Sequence, residues 1–135
     1  MRFLFVIWCA LASIAQADEA TLEAMQDYLM FAEYEAGIIL PRQIDQAVFE
    51  SAVFVDTRDA DQFAAGTIPG AAHIEWREVL DRIDEIPMSQ LTVLFCNTGS
   101  LSAQATFALR VSGRDNVVVL QSGYQGWLVD AAYRP

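Results

Sequence analysis

The sequence predicts an α/β fold, a parallel five-stranded sheet with helices on both faces. Three observations carry that expectation. Five short apolar runs alternate with helix-patterned segments along the 135 residues, and such alternation builds parallel sheets from strand–helix–strand units. The longer runs are almost continuously apolar, as strands covered on both faces must be. Glycine or proline stands at several of the junctions between segments, where the chain has to turn.

The elements follow in order. Residues 19–37, "EATLEAMQDYLMFAEYEAG", place Leu22, Met25, Leu29 and Ala32 at spacings of three or four, and Gly37 is positioned to end a helix. "IIL" is a short strand. Pro41 suits the first turn of a helix with Ile44, Ala47 and Val48 on one face. "AVFVD", residues 52–56, is a buried strand that ends in a carboxylate. "DADQFAAG" is a short helix closed by Gly66. "TIPGAAHI" holds a Pro–Gly turn and a short strand. "EWREVLDRIDEI", residues 75–86, gathers Trp76, Val79, Ile83 and Ile86 on one side of an amphipathic helix. "TVLFC" is the next strand. A helix from near Ser102 carries Leu101, Ala105, Ala108 and Leu109 as its apolar stripe, with Gly113 as its cap. "NVVVLQ" is the last strand and "GYQGWLVDAAY" begins the last helix.

The first 17 residues read as a secretory signal peptide. Arg2 supplies a positive start, Phe3–Ile14 an apolar run, and Ala15–Ala17 a small-x-small cleavage site. The run is well short of the roughly 20 residues that span a bilayer. The expected organisation is therefore residues 1–17 as leader, 18–36 as an N-terminal helical extension, and 37–135 as the α/β domain. The product is expected in the periplasm of a bacterium, or secreted otherwise, with no stable membrane anchor.

The net charge of −10 comes from 18 acidic residues against eight arginines, and loss of Arg2 makes it more negative. Such a surface repels phosphate backbones and anionic lipids, which excludes nucleic acid and membranes as principal partners. Cys9 leaves with the leader, so Cys96 stands alone and has no internal disulfide partner. His73 is the single histidine. No cysteine or acidic cluster has ligand spacing, and no metal or cofactor is expected.

Cys96 ends a buried strand and precedes a loop of small residues, Asn97, Thr98, Gly99 and Ser100. Gly99 can take positive φ without steric cost. A tight curl aims successive amide N–H groups inward as an anion nest, and the following helix start adds its positive dipole end. Such surroundings favour a thiolate, or a persulfide, on Cys96. The alternative is a core cysteine followed by an ordinary loop. From the loop alone the two stand level.

Four segments then resemble the rhodanese family, single-domain sulfurtransferases, over about Ile38–Trp127. "VDTRDADQF" resembles its Asp-x-Arg followed by an acidic residue and an aromatic. "AAGTIPGAAHI" resembles its Gly-His-Ile-Pro-Gly-Ala signature. "VLFCNTGSLSA" resembles its strand and Cys-x-x-Gly-x-Arg-Ser loop, and "VLQSGYQGW" its closing Leu-x-Gly-Gly and Trp pattern. The resemblance implies that Cys96 takes a sulfane sulfur from a donor, holds it as a persulfide and passes it to a thiol acceptor. It implies that Asn97, Thr98, Gly99, Ser100, Leu101 and Ser102 form the substrate cradle. It implies supporting roles for Asp56, Arg58 and Asp61, with an Arg58–Asp61 pair at the start of one helix.

This chain departs from the family at three places. Leu101 stands where arginine is common, Thr67 where histidine is common, and Ser122 where a glycine is common. An arginine beside the loop helps hold an anionic donor, so weak thiosulfate turnover is expected. A phosphatase of similar fold is disfavoured for the same reason, since it needs that arginine to clamp phosphoryl oxygens. Tyr124 is a candidate wall of the pocket mouth, Trp76 and Trp127 are candidate core residues, and the helical extension is either a cover for the sheet or a docking face for a protein partner. Two functions stay open: an exported sulfurtransferase or persulfide carrier, and a non-catalytic rhodanese-like module that binds a protein or a small oxyanion.

Overall fold

The computed structural model describes residues 19–135; the expected leader lies outside them. Residues 19–31 are helical (α1), and Leu29, Met30 and Phe31 on it are largely exposed. The helix ends before Gly37, which takes φ +73° in the turn that enters the sheet. Among the described residues no helix is long and apolar enough to cross a membrane.

Glu35–Pro135 form a separate compact unit. Its five strands are β1 (Ile38–Ile39), β2 (Val53–Asp56), β3 (Ala72–His73), β4 (Thr92–Phe95) and β5 (Val117–Leu120), all parallel in the order β1-β5-β4-β2-β3. The helices are α2 (Gln46–Ser51), α3 (Ala60–Ala65), α4 (Ser100–Val111) and α5 (Gly123–Asp130). The expected α/β architecture is the observed one.

Strand periodicity divides the core. On one face Val55, Leu94 and Val117 meet Ala105 and Leu109 of α4, together with Ile74, Val79 and Ile86. On the other, Phe54, Val93, Phe95 and Leu120 meet Ile44, Ile68 and Trp127. Neighbours in the chain thus point to opposite layers, which is why β2 and β4 read as unbroken apolar runs.

Three expectations need correction. Pro41 opens a 3-10 turn, Pro41–Gln43, rather than the helix itself; α2 begins at Gln46, capped by Asp45 Oδ1 accepting from Val48 N at 2.9 Å. Residues 75–86 are two 3-10 turns, Trp76–Glu78 and Ile83–Glu85, and not one α-helix. Side chains three apart eclipse in a 3-10 turn, so 76/79 and 83/86 each share a side, and the four-residue step falls at the junction. The apolar set was therefore right and the helix type wrong. Leu101 lies outside the stripe of α4. It is 40% exposed, on the first turn of a helix that starts at the carboxyl end of β4.

Candidate active site

The carboxyl ends of β2 and β4 present Asp56 and Cys96 side by side, as the strand order requires. Cys96 is 4% exposed and lies in a cavity of about 260 Å³ with Thr57, Arg58, Asp59, Gln62, Glu75, Trp76, Arg77, Asn97, Thr98, Ser100 and Leu101 around it. The loop curls as its small residues allow. Gly99 sits at φ +99°, and its N–H donates to Cys96 Sγ at 3.2 Å. The Ser102 hydroxyl reaches both Sγ at 3.4 Å and the Gly99 carbonyl at 3.2 Å, and donates to one at a time. Burial pushes the thiol up, but the Ser102 hydroxyl and the N–H groups of Ser102, Thr98 and Leu101 outweigh it, so the pKa is lowered. This is the physics of a cysteine at a helix N-terminus.

The loop is clamped from behind by α5. Its first-turn N–H groups lack intrahelical partners, and two of them donate into the loop: Tyr124 N to Cys96 O at 2.7 Å and Gln125 N to Asn97 O at 3.1 Å. The approach leaves no room for a side chain at Gly123, where a Cβ would stand 2.4 Å from Cys96 O. Ser122, just before it, takes φ +67°, a conformation glycine adopts more cheaply.

Arg58 pairs with Asp56 and not with Asp61. Its Nε and Nη2 donate to the Asp56 carboxylate at 2.9 and 2.6 Å, and the carboxylate also accepts from Arg58 N at 3.0 Å and from the Thr67 hydroxyl at 2.7 Å. That hydroxyl occupies the place where histidine is common. The hydrogen bond to Asp56 raises the Arg58 pKa against the opposing effect of burial. Asp61 is exposed on the first turn of α3, and Asp59 caps that helix through Gln62 N at 2.9 Å. The network continues to the loop: Arg58 Nη1 reaches Asn97 Oδ1 at 3.4 Å, and Asn97 Nδ2 donates to Gln62 Oε1 at 2.6 Å.

Tyr124 does not wall the pocket. Its ring lies under the Arg58 guanidinium, 4.5 Å from Cζ, and stacks on buried Trp127. His73 stacks on Phe63, and its Nε2 stands 2.7 Å from the Arg58 carbonyl, so that nitrogen carries the proton. Trp76 serves the core and also lines the cavity. Gln62, Glu75 and Arg77 join the site without having been singled out in the sequence. Residues 75–77 are brought there by β3, which pairs with β2 and delivers the following turn over the strand ends.

The geometry agrees with the comparisons. A model of the Rhodanese-like domain matches residues 40–130. The chain belongs to the rhodanese-like family. This rhodanese-like chain is 35% identical over 89 residues to a thiosulfate sulfurtransferase GlpE of Pseudomonas entomophila, covering 66% of this chain and 82% of that one. The human single-domain sulfurtransferase TSTD1 superposes with a TM-score of 0.62 at 25% identity, over 69% of this chain and 96% of that one. An NAD-dependent persulfide reductase from A. fulgidus gives a TM-score of 0.50 at 28% identity, over 58% of this chain and 14% of that one. Rhodanese-like sulfurtransferases move sulfur between donors and thiol acceptors.

Proposed function

We propose that this chain is a sulfurtransferase or persulfide carrier in which Cys96 is the sulfur-accepting nucleophile. The carrying observation is the Gly99 N–H and the Ser102 hydroxyl converging on Cys96 Sγ inside a cavity. The Cys96 thiolate attacks the outer sulfur of a donor. The donor's own S–S bond breaks, and its electron pair departs with the leaving thiolate or sulfite. The new Cys96–S–S⁻ group carries its charge one atom further into the cavity, which Thr98 and Ser100 line. An acceptor thiolate then takes the outer sulfur and restores Cys96. No general base is required, because the loop itself supplies the thiolate.

The Asp56–Arg58–Asn97 network holds the loop and takes no part in bond making. Asp61 has no part in that network. The location follows the leader motif: after loss of residues 1–17 the protein works outside the cytoplasm, in the periplasm of a bacterium. N-terminal sequencing of the exported form should begin at Asp18, and an intact Met1 end would sink that placement.

Intact mass after incubation with sulfane-sulfur donors tests the chemistry. The expected result is a gain of one sulfur that vanishes on reduction and is absent in Cys96→Ala. No adduct with any donor, in protein whose Cys96 still alkylates, would leave the binding module as the better reading.

A further inference from the structure

We propose that Arg77 is the donor-positioning residue of this site and that the donor is a small organic persulfide carrying a carboxylate. This inference rests on the sulfur-carrier reading above. A donor anion needs a cation, and the loop provides none, since Leu101 stands at its helix start. Two guanidinium groups line the cavity. Arg58 is committed: its side chain is 6% exposed, forked onto Asp56, bonded to the Gly66 carbonyl at 2.6 Å and to Asn97, and stacked on Tyr124. Arg77 is not. Its side chain is 73% exposed. Nε donates to both Glu75 oxygens at 3.1 Å, and no hydrogen bond is made by its two terminal nitrogens among the described residues. The Glu75 contact steadies the guanidinium without using the edge that would fork onto a carboxylate.

The rest of the rim selects the donor class. Asp59 is held ionised by the N–H and side-chain amide of Gln62, and Glu75 adds a second carboxylate. A compact dianion such as thiosulfate meets both. A donor with an ammonium and a carboxylate on the same small skeleton meets charges of both signs. Leu101 and Trp76 give its methylene carbon apolar surface, which an inorganic anion cannot use. The cavity, at about 260 Å³, lies just below the range of roughly 300–1,000 Å³ that takes drug-sized ligands, so the donor is small. Cysteine persulfide has this chemistry. The Cys96 thiolate attacks its outer sulfur and forms Cys96–S–SH, and the cleaved S–S pair leaves with the cysteine thiolate, which takes a proton from water. No oxidant or reductant is consumed.

The test is the rate of Cys96 persulfide formation, followed by intact mass, in wild type, Arg77→Gln and Arg77→Lys. Each is given cysteine persulfide, or cysteamine persulfide, which lacks only the carboxylate. Arg77→Gln should slow the first donor by roughly tenfold, the scale of one charge-assisted hydrogen bond. It should change the second less than about twofold, and Arg77→Lys should recover part of the loss because charge is kept and the fork is not. Equal slowing of both donors, or of neither, in proteins that are persulfidated would overturn the role of Arg77 and leave the carrier standing. Wild type that gains sulfur from thiosulfate but from neither persulfide would overturn this inference alone, and wild type that gains none from any donor would overturn the carrier reading and this inference with it.

Discussion

Two acid-x-arginine pairs bracket the Cys96 pocket, Asp56–Arg58 and Glu75–Arg77. Their local geometry is alike at the backbone N–H and Nε, and Arg58 alone adds an Nη2 bond to its carboxylate at 2.6 Å. In each, the arginine backbone N–H donates to the carboxylate two residues earlier, at 3.0 and 3.1 Å, and Nε reaches both oxygens. Their surroundings are opposite. The first pair is 6% and 0% exposed at its arginine and aspartate side chains, and the second 73% and 17%. A buried pair gains or loses several kcal/mol with its partners, whereas an exposed pair contributes about 0–1 kcal/mol. The same device is therefore a structural pin at one wall and an uncommitted contact group at the other.

The largest effect should follow from breaking the buried pair. Arg58→Ala leaves the Asp56 carboxylate, 0% exposed, with only a backbone N–H and the Thr67 hydroxyl. The expected loss is about 3–5 kcal/mol of stability, read from chemical denaturation. Arg58 also reaches Asn97, so the loop should loosen before the protein unfolds. A loss below about 1 kcal/mol would show that the two pairs differ less than their burial implies.

The two pairs were unequally legible in the sequence. Asp56 is marked by its place at a strand end and Arg58 by the family resemblance, but the partner expected for Arg58, Asp61, is not the one it has. Adjacency on a helix start suggested that pair. Desolvation decided otherwise, because the carboxylate that cannot reach water is the one that must hold the guanidinium, and Asp61 faces solvent. The curl of the Cys96 loop is legible because its glycine and helix start are local, whereas the choice of a reactive Cys96 over a core cysteine comes from the family resemblance. Arg77 is not legible. It reads as a solvent-facing residue of an amphipathic segment, and only the β2–β3 pairing carries it to the pocket. The same segment misled the helix reading, since a 3,4,3 apolar spacing fits one α-helix and two 3-10 turns equally well.

The Cys96 thiol is tuned by neither pair. The hydrogen bonds to Sγ come from neutral groups, the Gly99 N–H and the Ser102 hydroxyl. Because the thiolate is the reactive form, a lowered pKa moves the alkylation rate profile to lower pH. The wild-type midpoint should fall below the free-thiol value of about 8.5. Ser102→Ala removes one donor to the thiolate and leaves burial in place, so its midpoint should rise. Iodoacetamide kinetics against pH measure both. An unchanged midpoint in Ser102→Ala would assign the stabilisation to the backbone alone.

The smallest effect should be on the stability of Arg77→Gln. The exposed pair is screened by water, and the arginine gives up side-chain freedom to make it, so its net contribution is about 0–1 kcal/mol. The substitution also leaves Glu75 provided for. Its Oε2 still accepts the backbone N–H of residue 77, the contact that caps the 3-10 turn, and its side chain keeps some access to water. No buried charge is orphaned, in contrast to Asp56 in Arg58→Ala. The denaturation midpoint should therefore shift little, and what small shift there is should shrink further with added salt. Set beside roughly tenfold slower uptake from cysteine persulfide, that result would separate a ligand-facing arginine from a structural one. A loss of 2 kcal/mol or more would mean that Glu75–Arg77 pins the turn as Asp56–Arg58 pins the loop, and the contrast between the two walls would collapse.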